Sequence, residues 1–139
     1  MKNARSGFTL IEIMIVVVIL GLLAALIAPN VIGKGEEAKV KIACTQMKSI
    51  SEAMQLFKAD NGSYPTTNEG IAALQKNPNA ENYKNYSPSG YLSGKNLPKD
   101  PWKNEYFYAN DSGNISIKSS GGDLRDDAKA IYLDKQCQN

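Results

Sequence analysis

Histidine is absent from the chain. That removes the commonest general base and the commonest metal ligand, and with them any Ser–His or Cys–His nucleophilic pair. No phosphate-cradling glycine loop stands in their place. Net charge is scarce too: 16 Lys and Arg face 14 Asp and Glu. So small a surplus does not argue for a nucleic-acid partner, and none is expected. Internal repeats and low-complexity tracts are missing, so a solenoid or a disordered linker does not fit. Cysteine occurs only at Cys44 and Cys137, and tryptophan only at Trp102. An enzyme or a cofactor-binding domain has little to stand on here.

One feature is present in excess. Phe8 to Ala28 is an apolar run with one charge, Glu12. About 20 such residues cross the hydrocarbon core of a bilayer as a helix. Lys2 and Arg5 precede it, and basic residues keep their end of a span in the cytoplasm, so everything after Ala28 is expected on the far side. A carboxylate inside such a run is costly and marks a functional site unless it snorkels to the interface. At 139 residues, the chain beyond the run suffices for one small domain with a modest core.

Glu36 onward is amphipathic. Val40, Ala43, Met47, Ile50, Met54 and Phe57 recur at steps of three and four, with Lys39, Lys41, Lys48, Glu52 and Lys58 on other faces. This predicts a helix with one buried stripe, stopped at Asp60-Asn61-Gly62 by a left-handed glycine. Pro29-Asn30 can be read as the end of the span, with a separate helix beginning later, as the alternative to a helix that continues. Thr66 and Glu69 form a capping box opening a short helix with Ile71 and Leu74 inside. Asn79 to Leu97 is a polar loop anchored by Tyr91 and Leu92. Pro98 and Pro101 hold Lys99-Asp100 extended and aim Trp102 at the sheet or the helix. Glu105–Ala109 and Asn114–Lys118 read as strands joined by a hairpin at Asn110–Gly113, and Ala130–Leu133 as a third. Cys44 borders the helical stripe, and both cysteines fall on the non-cytoplasmic side, where oxidation permits a disulfide between them; two unpaired thiols is the other reading.

Arg5-Ser6-Gly7-Phe8-Thr9-Leu10-Ile11-Glu12 closely resembles the type IV prepilin signal. The resemblance implies that a membrane prepilin peptidase cuts after Gly7 and N-methylates Phe8, leaving the apolar run in place. The ordinary secretory layout would instead cut after it, near Ala24, Ala25 and Ala28. Loss of Lys2 and Arg5 leaves 14 basic against 14 acidic residues. The new Phe8 ammonium would stand one helical turn from Glu12, in its own chain or a stacked neighbour. The resemblance further implies that the helix runs on through Pro29, with Gly21 and Pro29 as places where it melts on assembly.

Tyr64-Pro65-Thr66-Thr67, Glu69-Gly70-Ile71, Gly90-Tyr91-Leu92 and Leu97-Pro98-Lys99-Asp100-Pro101-Trp102 narrow the likeness. They are similar to the major pseudopilin family of the type II secretion system. That family implies an α+β, pilin-like fold in which a long N-terminal helix packs on a small antiparallel sheet. The segments expected are 1–7 as cleaved leader, 8–28 as transmembrane and filament-core helix, 29–60 as its amphipathic continuation, and 61–139 as the periplasmic globular part. Function is then assembly into a pseudopilus that drives protein export. Implied partners are identical subunits in a helical homopolymer, minor pseudopilins, the prepilin peptidase, an inner-membrane assembly platform and inner-membrane lipid. The filament would stand in the periplasm or extend outside the cell.

In that family the loop between the last strands binds calcium. Ser120, Asp123, Asp126 and Asp127 are the matching oxygens here. The loop lacks the family's Gly-x-Asp-Gly and longer glycine-rich form, and Arg125 and Lys129 lie within it. An ordinary solvated turn is the competing reading. A Cys44–Cys137 bridge would share or replace the task of holding the tail. A true type IV pilin, forming long fibres for adhesion, motility or DNA uptake, would carry both cysteines late in the chain; Cys44 is early. A long filament for electron transfer stays open.

Overall fold

The structure, a computed structural model, describes residues 7–138, with the backbone alone for residues 27–33. Lys2 and Arg5 of the leader lie outside the described residues. The chain divides into two units, Met1–Glu37 and Ala38–Asn139, and each is described by itself.

The first unit contains the start of α1 (Leu10–Asn61). Its described apolar side chains are exposed: Phe8 is 85% exposed, and even Val16 is 49%. A helix apolar all round is not stable against water and belongs in lipid or among other chains. The helix does not stop at Pro29-Asn30, and its backbone runs unbroken through Gly21 and Pro29. A proline removes one backbone hydrogen bond, which a helix of 52 residues survives. A Cβ at Gly21 would meet nothing within 4 Å, so no packing within the chain demands glycine there. Among the described residues, no helix is long and apolar enough to cross a membrane. The described apolar side chains end at Leu26, short of the about 20 residues that a bilayer requires.

In the second unit the rest of α1 lays its expected stripe into the core. Ala43, Met47, Ile50, Met54 and Phe57 are buried, and Val40 packs beside them. Gly62 ends the helix with φ +85°, its N–H donating to the Lys58 carbonyl at 2.8 Å. Thr66 and Glu69 form the capping box: the Thr66 N–H donates to Glu69 Oε2 at 2.7 Å, and the Glu69 N–H to Thr66 Oγ1 at 3.3 Å. The box opens only a 3-10 helix, Ile71–Leu74, because Gly70 takes φ +61° and breaks the turn before an α-helix can propagate. Ile71 and Leu74 are its buried side, as expected.

The sheet has three antiparallel strands in the order β1 (Phe107–Asp111), β2 (Asn114–Ser119), β3 (Ile131–Tyr132). Tyr108 stands opposite Ile117, and Ser119 opposite Ile131. The first strand starts two residues later than its sequence suggests, since Glu105 is used in an isolated bridge to Lys99. The hairpin turn is two residues, Ser112 and Gly113, both at positive φ. That pair of dihedrals matches the twist of the flanking strands. Ile117 and Ile131 face α1 in one core with Tyr83 and Tyr106. A last short helix, α2 (Leu133–Gln136), delivers Cys137.

The polar loop is pinned by aromatic packing on one helix side chain. Tyr83, Tyr86 and Tyr91 meet Phe57 edge-on with ring centroids 4.9, 5.9 and 5.4 Å away. The Tyr91 hydroxyl donates to Asp60 at 2.9 Å and accepts from Asn61 at 3.1 Å. The loop is thereby fastened to the last turn of α1.

Candidate functional site

Three places carry the residues to which the sequence points. The first is the start of α1. Thr9 stands just before the helix, and Glu12 reaches back to it. Glu12 Oε2 accepts from the Thr9 N–H at 2.8 Å and from Thr9 Oγ1 at 3.0 Å, while the Glu12 N–H donates to Thr9 Oγ1 at 3.3 Å. This is a second capping box, satisfying backbone donors that a helix start leaves unpaired. The sequence carries its signal, Thr-x-x-Glu, but an isolated charge in an apolar run points more loudly to an interchain role. The two roles are compatible. A carboxylate offers about four lone-pair sites, and the box leaves Oε1 unengaged among the contacts described. Gly7 and Phe8 precede it in exposed chain without regular secondary structure, open to a protease.

The second place is the disulfide. Cys44 and Cys137 are bonded, with Cα atoms 5.2 Å apart and a sequence separation of 93. The bridge ties the C-terminal tail to α1 at the edge of the core.

The third is the acidic loop. The four expected calcium ligands do not all converge: Asp123 and Asp126 share Lys129, while Asp127 pairs elsewhere. Asp123 Oδ1 accepts the Arg125 N–H at 3.0 Å, and Asp126 Oδ1 the Ala128 N–H at 3.0 Å. Lys129 Nζ lies 3.8 Å from Asp123 Oδ2 and 3.7 Å from Asp126 Oδ2. Asp127 turns away to Lys118 of β2 at 3.3 Å, and that hydrogen bond raises the lysine's pKa. Ser120 Oγ is buried and lacks a protein partner, but one hydroxyl is little for an ion taking six to eight oxygens. Among the described residues no three His, Cys, Asp or Glu side chains are grouped to hold a metal. As arranged, this residue set does not fit the ion.

The residue that organises the loop's base does not stand out in the sequence. Asp100 is 3% exposed. It accepts from the Trp102 and Asn104 N–H groups at 3.0 and 2.8 Å, and from Ser119 Oγ at 2.6 Å. Ser119 Oγ in turn accepts the Gly121 N–H at 3.1 Å, and the Asn104 side-chain amide donates to the Gly121 carbonyl at 3.3 Å. Trp102 then stands against Gly122, where a Cβ would lie 3.2 Å from the indole nitrogen, with Lys39 of α1 over its ring at 5.9 Å. Asp100→Ala would strand three donors, one buried and two half-buried. We expect it to cost about 2–4 kcal/mol, read as a lower urea midpoint for the oxidised chain; an unchanged midpoint would show that the hub is dispensable.

Comparison with known proteins gives the same answer from two directions. Residues 2–28 match the model of the prokaryotic N-terminal methylation motif, and residues 30–134 match that of type II secretion system protein G. The chain is 43% identical over 138 residues to the type II secretion system core protein G of Vibrio cholerae, covering 96% of this chain and 93% of that one. It is 46% identical over 125 residues to the protein of the same name from Pseudomonas aeruginosa, covering 88% and 87%. Its fold is similar to the crystal structure of the major pseudopilin from the type 2 secretion system of enterohaemorrhagic Escherichia coli. The TM-score is 0.63 at 28% identity, over 75% of this chain and 93% of that one.

Proposed function

The chain belongs to the type II secretion system protein G family, and from that premise we propose how this subunit works. It is a structural subunit of the pseudopilus in type II secretion, and the family's role is structural. The observation that carries this is the likeness to named core G proteins over almost the whole length of both chains. Deleting the gene should abolish export through the type II system, and the intact chain should restore it. Continued export in the deletion strain would refute the assignment.

Before assembly the apolar half of α1 anchors the subunit in the inner membrane, with the globular part in the periplasm. The exposed apolar surface from Leu10 to Leu26, interrupted by Glu12, supports this, because lipid is the solvent that suits it. The prepilin peptidase removes residues 1–7 and methylates Phe8, a reading supported by the methylation motif and the exposed Gly7–Phe8 junction. Intact mass of the membrane-extracted protein should show loss of Met1 to Gly7 and gain of one methyl group. A mature chain beginning after Ala28 would contradict it.

On assembly the same surface leaves lipid for the helices of identical subunits, working with the assembly platform and minor pseudopilins. Glu12 keeps its own helix capped and offers its remaining lone pairs to the Phe8 ammonium of a neighbour. Only one axial step satisfies that pair. Gly21 and Pro29 are the places where α1 gives up helix on assembly, since each lowers local helix stability.

A further inference from the structure

We infer that the acidic loop of this chain is closed by its own lysine, with Lys129 taking the place that a bound cation would hold. The inference rests on the pseudopilin reading only for the expectation of a metal here. Charge decides it. Asp123, Asp126 and Asp127 bring three negative charges, and Arg125, Lys129 and Lys118 bring three positive ones. The positions are as telling as the count. Lys129 Nζ stands within 4 Å of both Asp123 and Asp126, and Lys118 within 4 Å of Asp127. A divalent cation binds where carboxylates outnumber nearby cations; here it would have to displace an ammonium covalently tethered at the site.

The backbone places that ammonium. Gly121 at one end of the loop has φ +68°, and a Cβ there would sit 2.5 Å from the Lys129 carbonyl. The two ends of the loop therefore touch, which holds the Lys129 backbone beside the loop, within reach of Asp123 and Asp126. The base is fixed independently by Asp100 and Ser119, and the tail beyond β3 by the Cys44–Cys137 bond. Hydrogen bonds, a disulfide and a lysine thus hold together what the family's loop holds with an ion.

The test uses the full oxidised chain in detergent, with export playing no part, so its failure is separable from failure of the secretion reading. Trypsin reports loop opening at the exposed Arg125, and terbium reports a cation site through energy transfer from the adjacent Trp102. In the intact chain, cleavage after Arg125 should proceed at the same rate in millimolar calcium and in EDTA, with no sensitised terbium emission. Lys129→Ala should speed that cleavage roughly fivefold, the effect of losing two partly exposed ion pairs, and Lys129→Arg should restore the slow rate. Calcium protection or terbium emission in the intact chain would overturn the inference. So would Lys129→Ala cleaved no faster than the intact chain, or Lys129→Arg cleaved as fast as Lys129→Ala.

Discussion

Glu12→Ala subunits should be cleaved after Gly7 and inserted in the membrane, yet form no filaments and support no export. In lipid the carboxylate is a burden, so removing it should if anything ease insertion. On the proposed assembly the segment Phe8–Leu26 would pack against copies of itself, and each Phe8 ammonium would enter surroundings that water has left. An unpaired charge there is costly, and stranding one partner of a buried pair destabilises strongly. Alanine also removes the capping box with Thr9, so that substitution alone conflates two losses. Glu12→Gln separates them, because glutamine serves in a capping box but carries no charge. Failure of both variants to assemble, with normal cleavage and fractionation, identifies the charge. Normal filament yield from Glu12→Gln would leave the cap as the whole role of this residue.

The second large effect is expected at the disulfide. The Cys44–Cys137 bond spans 93 residues of sequence, and cross-linking so long a loop removes much of the unfolded chain's freedom. Loop-closure entropy puts its contribution at about 4–5 kcal/mol, against a typical total of about 5–15 kcal/mol for a domain. The reduced chain, or Cys44→Ser with Cys137→Ser, should therefore unfold at much lower urea than the oxidised chain. The loss should appear first in the tail, as rapid proteolysis after Lys135. Coincident unfolding curves would mean that packing of Leu133 and Ile131 alone holds the tail. Since Cys137 itself is buried in the core, serine there also places a hydroxyl among apolar side chains, which adds to the cost.

Much of this architecture is legible in residue order because it is local. The stripe from Val40 to Phe57 announces its helix by period, Gly62 announces the stop, and Thr66 with Glu69 announces a cap. The hairpin follows from its glycine. The illegible features depend on partners far away in sequence or on competing local choices. The first strand starts at Phe107 because Glu105 is committed to Lys99. The helix after Thr66 shrinks to a 3-10 turn because of the dihedral at Gly70. Asp100 reads as one acid between two prolines, and only folding brings Ser119 to it. The acidic loop is the hardest case. Its carboxylate spacing suits calcium, while the deciding cation on Asp127, Lys118, comes from the preceding strand. Glu12 stands out for its charge, which hides its bond to Thr9, although the motif is the same one that is plain at Thr66.

The central claim is that the exposed start of α1 becomes the filament core, registered by Phe8 and Glu12 of neighbouring subunits. A cryo-electron microscopy map of filaments sheared from overproducing cells tests this most directly. We expect residues 8–26 buried among identical helices, with each Glu12 carboxylate about 3 Å from the methylated amine of a neighbour's Phe8. Filaments whose N-terminal helices lie apart, or whose Phe8 amines pair elsewhere while Glu12 bonds only its own Thr9, would contradict it.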